Sequence, residues 1–133
     1  MGTFRVGCKV VNIADPKKSA TVEKLLVDTG SDYTRLPAKV LEKIGVERIK
    51  KDIQLRMANG QTITRTAGYA IIHCDQFQTV DEVVFAEPGD QSLLGARTME
   101  GFNARVDPKQ KKLVAAGPVL AAGNVKNNRQ VRG

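Results

Sequence analysis

Tryptophan is absent, histidine occurs once and cysteine twice, as Cys8 and Cys74. Each scarcity closes off a class of chemistry. One histidine, His73, with no Cys-x-x-Cys pair, leaves too few soft ligands for a metal site. His73 and Cys74 are neighbours and would point to opposite faces of a strand, which argues against a Cys/His catalytic pair. Both cysteines are expected as buried, reduced thiols. No apolar run approaches the ~20 residues that cross a bilayer, so no membrane partner is expected. The start, Met1 to Cys8, lacks the apolar segment and cleavage site of a secretory signal. Val6 stands where a myristoylation motif needs Ser or Thr. A cytoplasmic protein is the expectation.

What is present is a chain of 133 residues, 41% hydrophobic, with a net charge of +7. That length fits one domain, placed at residues 1–123. Lys126, Arg129 and Arg132 fall in the polar segment 124–133, expected to be a basic, disordered tail. Such a tail can touch nucleic acid or an acidic partner. It has no aromatic residue to stack on bases, so it reads as a solvated tail, and nucleic acid is not expected as a partner.

The most informative stretch runs from Leu25 to Pro37. Three apolar residues, Leu25, Leu26 and Val27, lead straight into Asp28, Thr29 and Gly30. This is the pattern of a buried strand ending in a tight turn with a carboxylate at its mouth. The turn offers backbone N–H groups at close range, because glycine has no Cβ to hold a partner away. A carboxylate held so can activate water. The same tripeptide also serves as an ordinary Asx turn, so the surrounding chain must carry the argument.

Phe4 to Val11 alternates as a strand, 12–19 is a turn or loop, and Thr21 to Val27 returns as its hairpin partner. Pro37 to Ile44 predicts a short helix, with proline first and Gly45 as the stop. Asn59-Gly60 between Ile53–Met57 and Gln61–Thr66 predicts a projecting hairpin with little apolar surface. Tyr69–Cys74 and Val80–Ala86 read as further strands. Ser92 to Gly95 is a second apolar run, followed by a brief helix bearing Met99 and Phe102. Ala104–Asp107 and Lys112–Ala115 form a last hairpin around Pro108 to Lys111. Gly117–Gly123 is a small-residue segment that no pattern assigns. No internal repeat and no second Asp-Thr-Gly or Asp-Ser-Gly occurs.

This order resembles a retropepsin-like, retroviral-type aspartic protease subunit, and is especially similar to the stand-alone prokaryotic members. The resemblance covers roughly residues 3–118. Leu26-Val27-Asp28-Thr29-Gly30-Ser31, Leu36-Pro37, Asn59-Gly60, Leu93-Leu94-Gly95 and Val106-Asp107-Pro108 carry it. It implies a mainly β fold, a closed acid-protease β-barrel with one or two short helices, working as a homodimer. One chain holds one catalytic aspartate and the mechanism needs two. By resemblance the catalytic residues are Asp28, Thr29 and Gly30, with Thr29 bonding across the two-fold axis. Ser31, Asp32, Asn59, Gly60 and Leu94 are the implied substrate-binding residues. Ser31 would reach the outer oxygen of Asp28. Asp32 would hold substrate main chain, or else be a solvent-facing turn residue. Asn59-Gly60 would cover the substrate as a flap, or be a plain surface hairpin. Leu94 would pack beneath the acid loop. The implied activity is endopeptidase cleavage of an extended peptide or protein, with no cofactor, metal or covalent intermediate. A cleft lined by Leu, Ile and Met suggests apolar side chains near the cut, and the net charge favours acidic segments.

One departure stands out. In viral relatives an arginine directly follows the apolar-apolar-Gly run and pairs with the acid four residues beyond the catalytic one. Here Ala96 follows and Arg97 comes next, which puts an Asp32–Arg97 pair in question. The alternative reading is a non-catalytic dimerisation or binding module of the same fold, serving an acidic partner or nucleic acid.

Overall fold

A computed structural model of the chain describes residues 4–118. The basic tail at 124–133, the first three residues and most of 117–123 lie outside the described residues.

The order is β1 (Arg5–Val11), β2 (Ser19–Val27), β3 (Thr34–Pro37), α1 (Ala38–Lys43), β4 (Lys50–Arg56), β5 (Thr62–Cys74), β6 (Phe77–Ala86), β7 (Leu93–Leu94), α2 (Ala96–Phe102), β8 (Ala104–Asp107) and β9 (Lys112–Ala115). Seven strands join in the order β1-β2-β7-β3-β6-β5-β4, and β1 also pairs with β5. The β1–β5 pairing brings the sheet back on itself, so six strands form a ring from which β4 hangs. The closed barrel expected from the sequence is therefore a ring-like sheet with a projecting arm. β8 and β9 form a separate hairpin. Among the described residues no helix is long and apolar enough to cross a membrane.

Burial explains the ring. Cys8, Val10, Leu25, Leu36, Ile72, Val83, Phe85 and Leu94 are all essentially inaccessible and pack in one cluster. α1 closes one end with Leu41 and Ile44. Its stop is the one its glycine predicted. Gly45 adopts φ +78°, its N–H bonds to Glu42 O at 3.0 Å, and Val46 N–H bonds to Leu41 O at 2.9 Å. These two hydrogen bonds satisfy two carbonyls the helix would leave open. α2 closes another side, with Phe102 stacked on Phe77 at 5.8 Å between centroids.

Three expectations change. Pro37 ends a strand rather than opening the helix: β3 runs parallel to β6, with Thr34 opposite Val83 and Pro37 opposite Ala86. The two strands expected around residues 61–74 are one, β5, because Gly68 continues the ladder opposite Val83. Gly68 also lies against the Glu47 backbone, where a Cβ would sit 2.2 Å from the Glu47 carbonyl oxygen. The cysteines are not reduced thiols. Cys8 and Cys74, 66 residues apart in sequence, are joined by a disulfide. The cause is the antiparallel β1–β5 pairing, which sets Lys9 opposite His73 and so brings the next residues of each strand within 4.6 Å at Cα.

Candidate active site

The acid loop begins where β2 leaves the core. Leu25 and Val27 are buried, and Asp28 is only partly so. Asp28 N–H donates to the Leu94 carbonyl at 2.9 Å. The Ala96 N–H donates to Ser31 O at 2.7 Å and the Arg97 N–H to Asp32 O at 3.0 Å. The Gly95 N–H donates to the buried Thr34 hydroxyl at 2.9 Å. Thr34 in turn bonds Thr98, whose hydroxyl reaches Asp81. Two sequence segments more than sixty residues apart are thus stitched along their backbones. The seam needs Gly95: a Cβ there would stand 2.4 Å from the Tyr33 carbonyl oxygen.

Within this frame the Asp28 carboxylate faces inward along its own loop. Oδ1 accepts the Gly30 N–H at 3.0 Å and Oδ2 accepts the Ser31 hydroxyl at 3.3 Å. A Cβ at position 30 would come within 3.2 Å of Oδ1. The glycine therefore gives the carboxylate both a donor and room.

A cleft of about 450 Å³ opens at this carboxylate. Asp28, Gly30, Ser31, Asp32 and Tyr33 line one side, Gln54 to Ala58 of the β4 arm the other, and Arg35 and Gln91 complete it. The arm continues into a turn in which Gly60 adopts φ +86° and its N–H bonds to Met57 O at 2.9 Å. The Asn59 side chain accepts the Gln61 N–H at 2.9 Å.

Most of the expected residues meet at one place. Asp28, Gly30, Ser31 and Asp32 line the cleft, while Asn59 and Gly60 form the turn just beyond Met57 and Ala58, which do. Thr29 is exposed and its hydroxyl has no partner among the described residues. Leu94 is wholly buried and lends the acid loop a backbone carbonyl from below. Arg97 does not pair with Asp32 through its side chain. Its guanidinium lies over the Tyr33 ring at 4.4 Å and within 3.9 Å of Glu82. Among the described residues no cluster of three His, Cys, Asp or Glu side chains could hold a metal.

The base of the arm is anchored by charge. Arg65 of β5 donates to both oxygens of Asp90, at 2.6 and 2.8 Å. These bonds hold the Asp90 carboxyl below the usual carboxylate range, against a smaller opposing effect of burial. Arg48 bonds Glu42 and Glu87 and stacks on Phe85 at 4.2 Å.

Sequence reasoning passed over Tyr33, Arg35, Gln54, Arg56 and Gln91. The signal for Arg35 was there: a charged residue between Thr34 and Leu36 in a run that otherwise buries. The family model described as gag-polyprotein putative aspartyl protease matches residues 19–100, which span the acid loop, the arm and the Leu93-Leu94-Gly95 segment. No curated protein matches the chain.

Proposed function

Because the chain belongs to this retropepsin-like aspartyl protease family, we propose that it is an endopeptidase whose site is completed by a second copy of itself. The single observation that carries the reading is the Asp28 carboxylate, held by the Gly30 N–H and the Ser31 hydroxyl at the mouth of a cleft that the β4 arm overhangs.

Two Asp28 carboxylates about a hydrogen bond apart cannot both ionise cheaply, so the pair shares one proton and titrates as a unit. Aspartic proteases are the standing example of that splitting. The ionised member takes a proton from a bound water as the water attacks the peptide carbonyl. The protonated member polarises that carbonyl and then helps protonate the leaving nitrogen. Atoms balance without cofactor or metal. Exposed Thr29 is free to bond across the two-fold axis and keep the two loops level. The Asn59-Gly60 turn is the flap, which closes over an extended peptide and keeps out bulk water. Asp32, exposed at the cleft edge, holds substrate main chain.

On this reading the protease unit covers residues 1–123 and 124–133 is an appendage. The compartment proposed is the cytoplasm, carried by composition alone. The Cys8–Cys74 bond weighs toward an oxidising one. Thiol labelling of protein quenched directly from cells decides between them.

The test is Asp28→Asn assayed on an unfolded protein at acidic to near-neutral pH. Cleavage is lost while circular dichroism and melting temperature stay those of the parent. Full activity in the variant sinks the reading.

A further inference from the structure

β3 carries a cation into the cleft. Arg35 is only 9% exposed, yet lines the same cavity as Asp28. Among the described residues its guanidinium forms no ion pair. Asp90 is the acid whose carboxyl feels the charge of Arg35, but it is already gripped by both Arg65 nitrogens, at 2.6 and 2.8 Å. The Arg35 nitrogens are not among the fully buried, unpartnered polar atoms, so the head keeps contact with the solvent of the cleft. A carboxylate arriving there exchanges that water for a charge-assisted pair. The planar fork of the guanidinium matches a carboxylate with two parallel bonds.

The strand pairing fixes how far from the chemistry this charge lies. Leu26 pairs with Leu93, and Leu93 pairs with Arg35. Arg35 is therefore two strands from Leu26, about 10 Å at the usual strand spacing, and Asp28 lies two residues further along β2. An extended peptide advances about 3.3 Å per residue. Together the two offsets put the Cα atoms of Arg35 and Asp28 about 12 Å apart. The extended arginine side chain, lining the same cavity, covers about half of that, so its head falls within about two residues of a bond held at Asp28. Gln54, Arg56 and Gln91 also line the cavity and can donate hydrogen bonds into it.

We propose that Arg35 is a specificity residue that selects substrates carrying an aspartate or glutamate within two residues of the scissile bond. The inference rests on the peptidase reading above and names its substrate class. It sharpens the weak preference for acidic segments that net charge alone suggests, and assigns it to one side chain.

The test uses peptides capped at both ends, apolar at the scissile pair, with Asp or Glu against Asn or Gln at each of the two flanking positions on either side. For the parent, kcat/KM on the acidic peptide at the preferred position exceeds that on its amide twin by roughly 10- to 100-fold, the worth of a charge-assisted bond in a partly dry site. Arg35→Met brings that ratio close to one with cleavage of the amide peptide retained. Arg35→Glu turns the preference toward a lysine-bearing peptide. Equal cleavage of acid and amide peptides by the parent overturns the proposal and leaves the peptidase reading standing. Cleavage of none counts against the peptidase reading. The same peptides are then titrated onto the Asp28→Asn protein by fluorescence anisotropy. Tighter binding of the acidic peptide, removed by adding Arg35→Met, supports the proposal, and equal binding overturns it.

Discussion

Asp28 and Leu94 are 66 residues apart in sequence, and the N–H of one donates to the carbonyl of the other at 2.9 Å. That bond is the first stitch of a seam which continues through Ser31–Ala96 and Asp32–Arg97. The candidate catalytic carboxylate is therefore placed by backbone on both flanks. Such placement lowers the reorganisation that a reacting group would otherwise need.

The seam predicts an outcome for Gly95→Ala. The new methyl meets the Tyr33 carbonyl, a backbone atom that cannot swing aside. Overpacking of this kind costs about 1–3 kcal/mol. Urea denaturation shows the loss, and peptidase activity falls further than stability does, because the displaced loop is the one that carries Asp28.

A site completed by a second copy, as proposed, predicts concentration dependence. Specific activity falls as the protein is diluted through its dimer dissociation constant, and a statine-type inhibitor raises the melting temperature by binding only the assembled form. Sedimentation equilibrium run at the same concentrations must track the activity. Constant specific activity down to concentrations where only single chains sediment excludes the shared-acid mechanism.

Removing the anchor of the arm predicts a pH signature. The Arg65 bonds depress the Asp90 carboxyl, so the stabilisation is complete above the ordinary carboxylate range near pH 4 and disappears as pH falls through the lowered value. Asp90→Asn costs about 1–3 kcal/mol at pH 7. The gap between parent and variant stays level from pH 7 to about 5 and closes below about 4. Chemical denaturation at each pH measures it. A gap that widens in acid contradicts the assignment.

The disulfide predicts a loss of stability on reduction. Closing a loop of this length removes up to about 4 kcal/mol of freedom from the unfolded chain. Cys8→Ala with Cys74→Ala lowers the unfolding midpoint and leaves the spectrum of the fold intact, because backbone pairing of β1 with β5 and of β5 with β6 holds both positions without the bond.

Local chemistry made parts of this molecule readable in advance. Asp28-Thr29-Gly30 after three apolar residues, Gly45 after a short amphipathic run, and Asn59-Gly60 between alternating segments each announce a turn, and at Gly45 and Gly60 the positive φ is one that glycine supplies. What escaped was non-local. β3 is four residues long and exists because β6 and β7 lie beside it, so Pro37 looked like a helix start. β5 looked divided at Gly68, whose missing side chain is filled by the Glu47 backbone. The cysteine pair and the cation at Arg35 acquire meaning only from the register of strands distant in sequence.

The Cys8–Cys74 bond makes the first half of the ring a covalent circle that contains the acid loop and the whole of the β4 arm. A nick anywhere between those cysteines, including one made by a sister molecule at the Asn59-Gly60 tip, leaves both pieces tethered. On a gel such a clipped chain migrates as full-length until a reductant is added, and only then falls into two bands.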